Sequence, residues 1–292
     1  MGENWLRRGF CMLIGMISGL SVALAVLLCV LTGAFAGYSW LWILPVGFLS
    51  GFVLLAALAF LFVYLMCKRV RLDEPQEEDS PFYRAMANLC IEAALQFARV
   101  RVHTEGLEQT PKSGRFLLVC NHLDYMDPVT LLAYFKKSQL AFISKRENSS
   151  MFVVGKLMHK LLGQLVNREN DREALKTILR CVELIREDLA SVAVFPEGYT
   201  SLDGLLHPFR HGVFKIAQKT KVPVVVCTLR NTQYVFKNAK RLKPTTVHLH
   251  LVGVLQPEQL QGMTAVEIGK QVHAMMAEDL GPDMVLQMEE TT

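Results

Sequence analysis

The stretch FLLVCNHLDYMDP, residues 116–128, decides the fold because a strand pattern changes to a helix pattern within it. The leading apolar run is typical of a buried strand, and Pro128 suits the first turn of a helix. Further apolar runs of strand length occur at 141–143, 191–195, 222–229 and 247–254. Stretches with helical spacing separate them, at 128–136, 150–163, 171–189, 209–219 and 264–280. This alternation predicts an α/β domain with a mixed, largely parallel sheet flanked by helices.

The hydrophobic residues are unevenly distributed along the 292-residue chain, which is 51% hydrophobic and 20% charged. Residues 9–67 contain no Asp, Glu, Lys, Arg or His. About 20 apolar residues cross a bilayer, so this block has room for two crossings with a break near 37–42. Basic residues flank only the outer ends of the block, at 7–8 and 68–71. We therefore expect a transmembrane hairpin, residues 1–72, with both ends in the cytoplasm, followed by one domain, residues 73–292.

A cleaved signal peptide is the alternative for the N-terminus. Arg7-Arg8 has a twin-arginine character, and Ala34-Phe35-Ala36 is similar to a cleavage site. The apolar run before that site is longer than in most signal peptides, and the second apolar run would still anchor the product. The uncleaved hairpin is the preferred interpretation.

His122 and Asp127, just after the strand at 116–120, are candidates for acid-base chemistry. A histidine that takes a proton from an alcohol needs an acceptor on its other ring nitrogen. Residues five apart on one helix point about 140° apart, so pairing requires His122 in the loop and Asp127 as the helix N-cap. Asp124 is an equally good partner by spacing. The simpler interpretation is that Asp127 only caps the helix.

A second candidate segment, Phe195-Pro196-Glu197-Gly198-Tyr199, also follows a strand. A carboxylate followed by glycine can bind substrate hydroxyls, although an ordinary turn has the same pattern. Basic residues cluster at 136–160, 210–221 and 237–243. They favour phosphate groups on a substrate, a carrier or an anionic leaflet, or they are solvated helix faces. Nucleic acid is a poor partner, because the net charge is only +4 and no recognition motif is present.

Several other kinds of site are disfavoured by the sequence. The seven cysteines form no C-x-x-C pair, which argues against a disulfide framework or a zinc ribbon. No G-x-S-x-G, Walker A, H-E-x-x-H or G-x-G-x-x-G motif is present. The histidine pairs at 207/211 and 248/250 are interpreted as structural. Metal, nucleotide and serine-hydrolase chemistry therefore lose support.

Taken in order, the motifs of residues 80–280 resemble those of the glycerolipid acyltransferase family, in particular the bacterial 1-acylglycerol-3-phosphate acyltransferases. The matching blocks are Asn121-His122-x4-Asp127, Phe152-x-x-Gly155 with Asn167-Arg168, Phe195-Pro196-Glu197-Gly198, Phe209-Arg210-x-Gly212 and Val222-Pro223-Val224-Val225. The ordered set is more specific than any single block.

The resemblance implies transfer of a fatty acyl group from acyl-CoA or acyl carrier protein to the free hydroxyl of lysophosphatidic acid, giving phosphatidic acid. It implies that His122 is the general base and that Asp127 orients it. It assigns a group of residues to substrate binding, namely Asn121, Lys145, Arg168, Glu197, Gly198 and Arg210. No metal or organic cofactor is expected. The enzyme would be a multi-pass protein of the cytoplasmic (inner) membrane, with its acyltransferase domain, 73–292, on the cytoplasmic side.

Two departures from the family pattern affect the expected acceptor. The family usually has Thr-Arg-Ser after Glu-Gly, whereas this chain has Tyr199-Thr200-Ser201, so an arginine expected near the acceptor phosphate is missing. The last block usually has a second proline, where this chain has Val226. Arg210 or the basic cluster at 145–160 could supply the missing charge. The alternatives are another lysolipid or an acylated amino-acid acceptor, or a non-catalytic, membrane-tethered lipid-binding protein.

Overall fold

The computed structural model describes residues 8–167 and 170–286. The chain divides after Arg71 into two compact units, which are described separately below. The boundary lies within a residue of the one expected between 72 and 73.

The first unit contains two helices, α1 (Arg8–Leu31) and α2 (Trp40–Lys68). The break at 32–39 begins earlier than the predicted 37–42 and contains Gly33 in a left-handed conformation, φ 66°. The two helices pack closely at Gly47 of α2. A Cβ added to this glycine would lie only 3.2 Å from the Cβ of Ala25 in α1. Their outer large apolar side chains are exposed, and both helices are long and apolar enough to cross a membrane. These helices indicate membrane association.

The second unit is an α/β domain, as predicted. Its strands are β1 (Val100–Glu105), β2 (Leu117–Cys120), β3 (Leu140–Lys145), β4 (Gln164–Val166), β5 (Ser191–Val194), β6 (Val224–Arg230) and β7 (Thr245–Leu255). Its helices are α3 (Pro81–Phe97), α4 (Met126–Tyr134), α5 (Phe152–Lys160), α6 (Asp171–Arg186), α7 (Lys215–Thr220), α8 (Val235–Ala239) and α9 (Ala265–Leu280).

The strands form one sheet in the order β1-β7-β6-β2-β5-β3-β4. All neighbours are parallel except β6 and β7, which are antiparallel, so the prediction of a mixed, largely parallel sheet is confirmed. Every residue of β2 and β5 is buried. Apolar residues of α6, α7 and α9 pack on one face, and those of α3, α4 and α8 pack on the other. Coverage on both faces explains the continuous apolar runs of the central strands.

Some elements differ from the predicted ones. β1 and β4 were not predicted, because β1 alternates buried and exposed residues and β4 has only three residues. The predicted helix at 209–219 is shorter: a 3₁₀ turn, His211–Phe214, leads into α7. The carboxyl ends of β2, β5 and β6 lie at the same edge of the sheet, where ligands bind in open α/β sheets.

Candidate active site

His122 and Asp127 form a close pair at the carboxyl end of β2. Nδ1 of His122 lies 2.8 Å from Oδ2 of Asp127, which is fully buried. The same oxygen accepts hydrogen bonds from the backbone N–H groups of Leu123 at 2.6 Å and Asp124 at 2.7 Å. Three donors therefore converge on one carboxylate oxygen. An ionised carboxylate only accepts, so Nδ1 is the donor in this pair, and in the neutral imidazole Nε2 is then the nitrogen with the lone pair.

The start of α4 differs from the prediction. α4 begins at Met126 and its N-cap residue is Tyr125, so the prediction that Asp127 is the N-cap is wrong. Asp127 lies in the first turn and reaches back to the loop. Asp124 instead accepts a hydrogen bond from the N–H of Met126 at 3.0 Å, and burial raises the pKa of its carboxyl. Asp124 thus organises the helix start, and Asp127 is free to hold His122.

Residues 195–201, which follow β5, hold the rest of His122 in place. Its ring stacks on Phe195, with centroids 4.2 Å apart. Its N–H donates to Oε1 of Glu197 at 2.8 Å, and its carbonyl accepts from the N–H of Ser201 at 2.7 Å. The ring face and both backbone groups of His122 are therefore fixed by one neighbouring loop.

Glu197 is fully buried, and both of its carboxyl oxygens accept backbone hydrogen bonds. Oε1 accepts from His122, and Oε2 accepts from the N–H of His207 at 3.0 Å. Burial raises the pKa of Glu197 to about 7, although the two N–H donors act in the opposite direction. The carboxyl group thus joins three loop segments inside the protein.

The Arg210 side chain packs against the backbone of Gly198 at the edge of this site. Gly198 adopts φ 84°, and a Cβ there would lie 2.9 Å from both Cδ and Nε of Arg210. The backbone N–H of Arg210 donates to the carbonyl of Pro196 at 2.8 Å. The exposed guanidinium of Arg210 therefore lies across the turn that follows Glu197.

Thr200 occupies the free side of the histidine ring. Its Oγ1 lies 3.2 Å from Nε2 of His122. Since Nε2 carries the lone pair, the threonine hydroxyl donates this hydrogen bond. Sequence reasoning identified Thr200 only as the site of a missing arginine. Its contact with His122 could have been found only from the adjacency of β2 and β5.

Among the remaining predicted site residues, the structure describes Asn121 and Lys145. Asn121 is buried and exchanges two hydrogen bonds with the backbone of Leu229 in β6, at 2.9 and 2.7 Å. Lys145 is exposed at the carboxyl end of β3. Arg168 lies outside the described residues. Its neighbour Asn167 donates to Oε2 of Glu173 at 3.1 Å.

Two of the four other histidines highlighted by the sequence, His207 and His250, have aspartate partners. Nε2 of His207 lies 3.0 Å from Oδ1 of Asp203, and Nδ1 of His250 lies 2.6 Å from Oδ1 of Asp279. Within residues 8–167 and 170–286, no group of three or more His, Cys, Asp or Glu side chains is arranged to hold a metal ion.

Comparison with known proteins gives a consistent assignment for the domain. A family model described as Acyltransferase matches residues 101–230. A chloroplastic 1-acyl-sn-glycerol-3-phosphate acyltransferase of Brassica napus is 40% identical over 129 residues, which cover 44% of this chain and 37% of that protein. A 1-acyl-sn-glycerol-3-phosphate acyltransferase of Borreliella burgdorferi is 28% identical over 167 residues, 57% of this chain and 66% of that protein.

The fold is also shared with a solved structure. The crystal structure of the 1-acyl-sn-glycerophosphate (LPA) acyltransferase PlsC from Thermotoga maritima superposes with a TM-score of 0.56 at 22% identity, covering 78% of this chain and 89% of that one. This chain spans little more than a third of the length of the plant chloroplast relatives that it matches. The family match over 101–230 and the named relatives support the glycerolipid acyltransferase family for this domain, and the PlsC structure shares its fold.

Proposed function

We propose that this protein transfers a fatty acyl group from acyl-CoA or acyl carrier protein to the free hydroxyl of lysophosphatidic acid, giving phosphatidic acid. The observation that carries the proposal is the pair of contacts made by the His122 ring: Nδ1 lies 2.8 Å from Oδ2 of buried Asp127, and Nε2 lies 3.2 Å from the hydroxyl of Thr200. The His122 side chain is 17% exposed whereas that of Asp127 is 0% exposed, so only the histidine is open to a substrate.

The reaction follows from this geometry. The acceptor hydroxyl takes the place of the Thr200 hydroxyl at Nε2. Nε2 removes its proton while the acceptor oxygen attacks the thioester carbonyl, and Asp127 stabilises the imidazolium. The tetrahedral intermediate then collapses: the carbon–sulfur bond breaks, and the imidazolium returns the proton to the leaving thiolate. The products are an ester and a free thiol.

The other residues have two kinds of role in this proposal. Arg210, Lys145 and Arg168 supply positive charge for the acceptor phosphate. Asn121, Glu197 and Gly198 position the site rather than contact the substrate, because Asn121 and Glu197 are buried and bound to backbone groups. Glu197 is thus assigned a role different from the acceptor contact that the family resemblance implied.

The membrane arrangement is part of the proposal. Both apolar helices cross the cytoplasmic (inner) membrane as a hairpin, residues 1–72, and the acyltransferase domain, 73–292, is on the cytoplasmic side. Lys68, the last residue of α2, and Arg69 and Arg71 after it support this orientation. Reactivity of single introduced cysteines with an impermeant reagent in spheroplasts tests it. If the impermeant reagent labels a cysteine introduced in the segment 72–79 of intact spheroplasts, the acyltransferase domain lies on the outer side of the membrane instead.

The substrate is tested with the full chain in proteoliposomes, using labelled acyl-CoA and acyl carrier protein against a panel of lysolipids, acylated amino acids and glycerol phosphate. We expect transfer to lysophosphatidic acid. Thr200 stands where the family usually has an arginine that is expected near the acceptor phosphate. Its presence favours one alternative, an acceptor without a phosphate. Preference for such an acceptor would replace the substrate while keeping the chemistry. No transfer to any acceptor would favour the lipid-binding alternative.

A further inference from the structure

The segment after β6 combines exposed aromatic and basic side chains. Tyr234 and Phe236 are each 48% exposed and Leu242 is 70% exposed. Four cations of the same segment are also exposed, namely Lys237, Lys240, Arg241 and Lys243. Residues 231–257 contain no Asp or Glu. The segment therefore presents positive charge and apolar surface together, without local neutralisation.

Arg99 extends this surface from a second part of the chain. Its Nη1 donates to the carbonyl of Leu242 at 2.7 Å, and its own carbonyl accepts from Thr245 at 3.2 Å. Residues 93–104 also contain no Asp or Glu. We call residues 234–243 together with Arg99 the basic-aromatic patch.

The patch is an ordered surface rather than a loose loop. The N–H of Lys243 donates to the carbonyl of Asn238 at 2.9 Å, and the Asn238 side chain donates to Oγ1 of Thr245 at 3.0 Å. Val235, between the two exposed aromatics, is completely buried and anchors α8 on the sheet. The four cations of residues 237–243 are therefore held on an ordered segment, and Arg99 is hydrogen-bonded to the same segment.

This composition fits a lipid surface better than other partners. Aromatic residues beside Lys and Arg are typical of the membrane–water interface, and an anionic leaflet attracts basic residues. A second copy of the chain would bring five cations against five cations, which repel. Nucleic acid is disfavoured because no recognition motif accompanies the charge.

The patch also lies at the edge of the sheet that carries the candidate active site. It begins four residues after β6 ends, and Leu229 near that end is bonded to Asn121, the neighbour of His122. We propose that the basic-aromatic patch docks on an anionic leaflet and so holds this edge of the sheet at the lipid surface. The proposal concerns the second unit's own surface and goes beyond tethering by the apolar helices.

The test follows amide hydrogen exchange of the full chain reconstituted in vesicles of phosphatidylcholine, alone or mixed with phosphatidylglycerol. We expect exchange in 234–243 to slow by about tenfold in the anionic vesicles, and the protection to disappear at high salt. The variant K237Q/K240Q/K243Q should lose it. The matched control K215Q/K219Q/K221Q removes three exposed lysines before β6, at the opposite edge of the sheet, and should keep it.

Hydrogen exchange is measured without any substrate. The exchange test of the patch can therefore fail or succeed independently of the transfer assay that tests the proposed function. Peptides of β6, residues 224–230, report whether each variant is folded. Equal exchange of 234–243 in both kinds of vesicle would overturn the proposal. Protection that survives in K237Q/K240Q/K243Q, or that depends on protein density rather than on anionic lipid, would also overturn it.

Discussion

Oγ1 of Thr200 lies 3.2 Å from Nε2 of His122, so the nitrogen that is to accept a proton already has a hydroxyl partner in the free protein. The position is filled by a residue 78 positions away in the sequence. In the proposed reaction the acceptor hydroxyl enters between these atoms, and Thr200 then donates to the acceptor oxygen.

The first prediction concerns this hydroxyl. Thr200→Val keeps the shape and removes the donor, so we expect kcat/KM for the acceptor to fall about tenfold, the effect of one hydrogen bond. Thr200→Ser should restore most of the activity. Initial rates at varied acceptor concentration separate the change in KM from that in kcat. A valine variant equal to wild type would show that the acceptor does not bind against residue 200. An acyl adduct on Thr200 in intact-mass spectra would show instead that threonine is a nucleophile.

The second prediction concerns the base and its partner. His122→Ala and Asp127→Asn should each lower the rate of transfer by about 10²–10⁴-fold, because proton removal is lost or the histidine tautomer is wrong. His250→Ala breaks another His–Asp pair of the same domain and should leave transfer close to wild type. Comparable activity of His122→Ala and wild type would exclude the mechanism.

The third prediction concerns pH. Burial raises the pKa of Glu197 from 4.5 to about 7, so the folded state favours the protonated form. Its contribution to stability is then complete below about pH 4.5 and is lost as pH rises through about 7. Glu197→Gln does not titrate. The stability of wild type relative to this variant, measured by thermal unfolding in micelles, should decrease between about pH 5 and 8. No change over that range would mean that the pKa of the buried carboxyl is not raised.

The fourth prediction separates backbone strain from site geometry. Gly198→Ala and Gly262→Ala both place alanine at positive φ, 84° and 81°, and each should cost about 1 kcal/mol of stability. Only at Gly198 does the new Cβ meet another group, Arg210, at 2.9 Å; at Gly262 nothing lies within 4 Å. Transfer should therefore fall in Gly198→Ala alone. If the two variants lose the same amount of stability and the same amount of activity, the close contact between Gly198 and Arg210 has no separate effect on transfer.

The sequence predicted those strands in which consecutive residues are all or nearly all buried. β2, β5 and β6 produce uninterrupted apolar runs because helices cover both faces of the sheet. β1 was missed since its buried residues, Val100 and Val102, are separated by exposed Arg101 and followed by exposed His103. The order of the strands was not predictable, because apolar runs do not specify their neighbours.

The site was predictable only within single loops. The pairing of His122 with Asp127 lies within six consecutive residues, 122–127, and spacing could suggest it. Spacing could not show that α4 begins at Met126 with Tyr125 as its N-cap, so the prediction that Asp127 is the N-cap was wrong. The contacts of His122 with Phe195, Glu197 and Thr200 exist because β2 lies beside β5, which long-range pairing alone determines.

The bonds of Asn121 to β6 and of Glu197 to the His122 backbone clamp the base from both sides. The clamp uses a buried amide and a buried carboxyl, whereas Arg210, Lys145 and Tyr199 are outside it on exposed positions. In the proposed function, chemistry and choice of acceptor are therefore assigned to separable parts of the sheet edge. Mutations in the outer loops could retune the acceptor while the proton-transfer machinery remains unchanged.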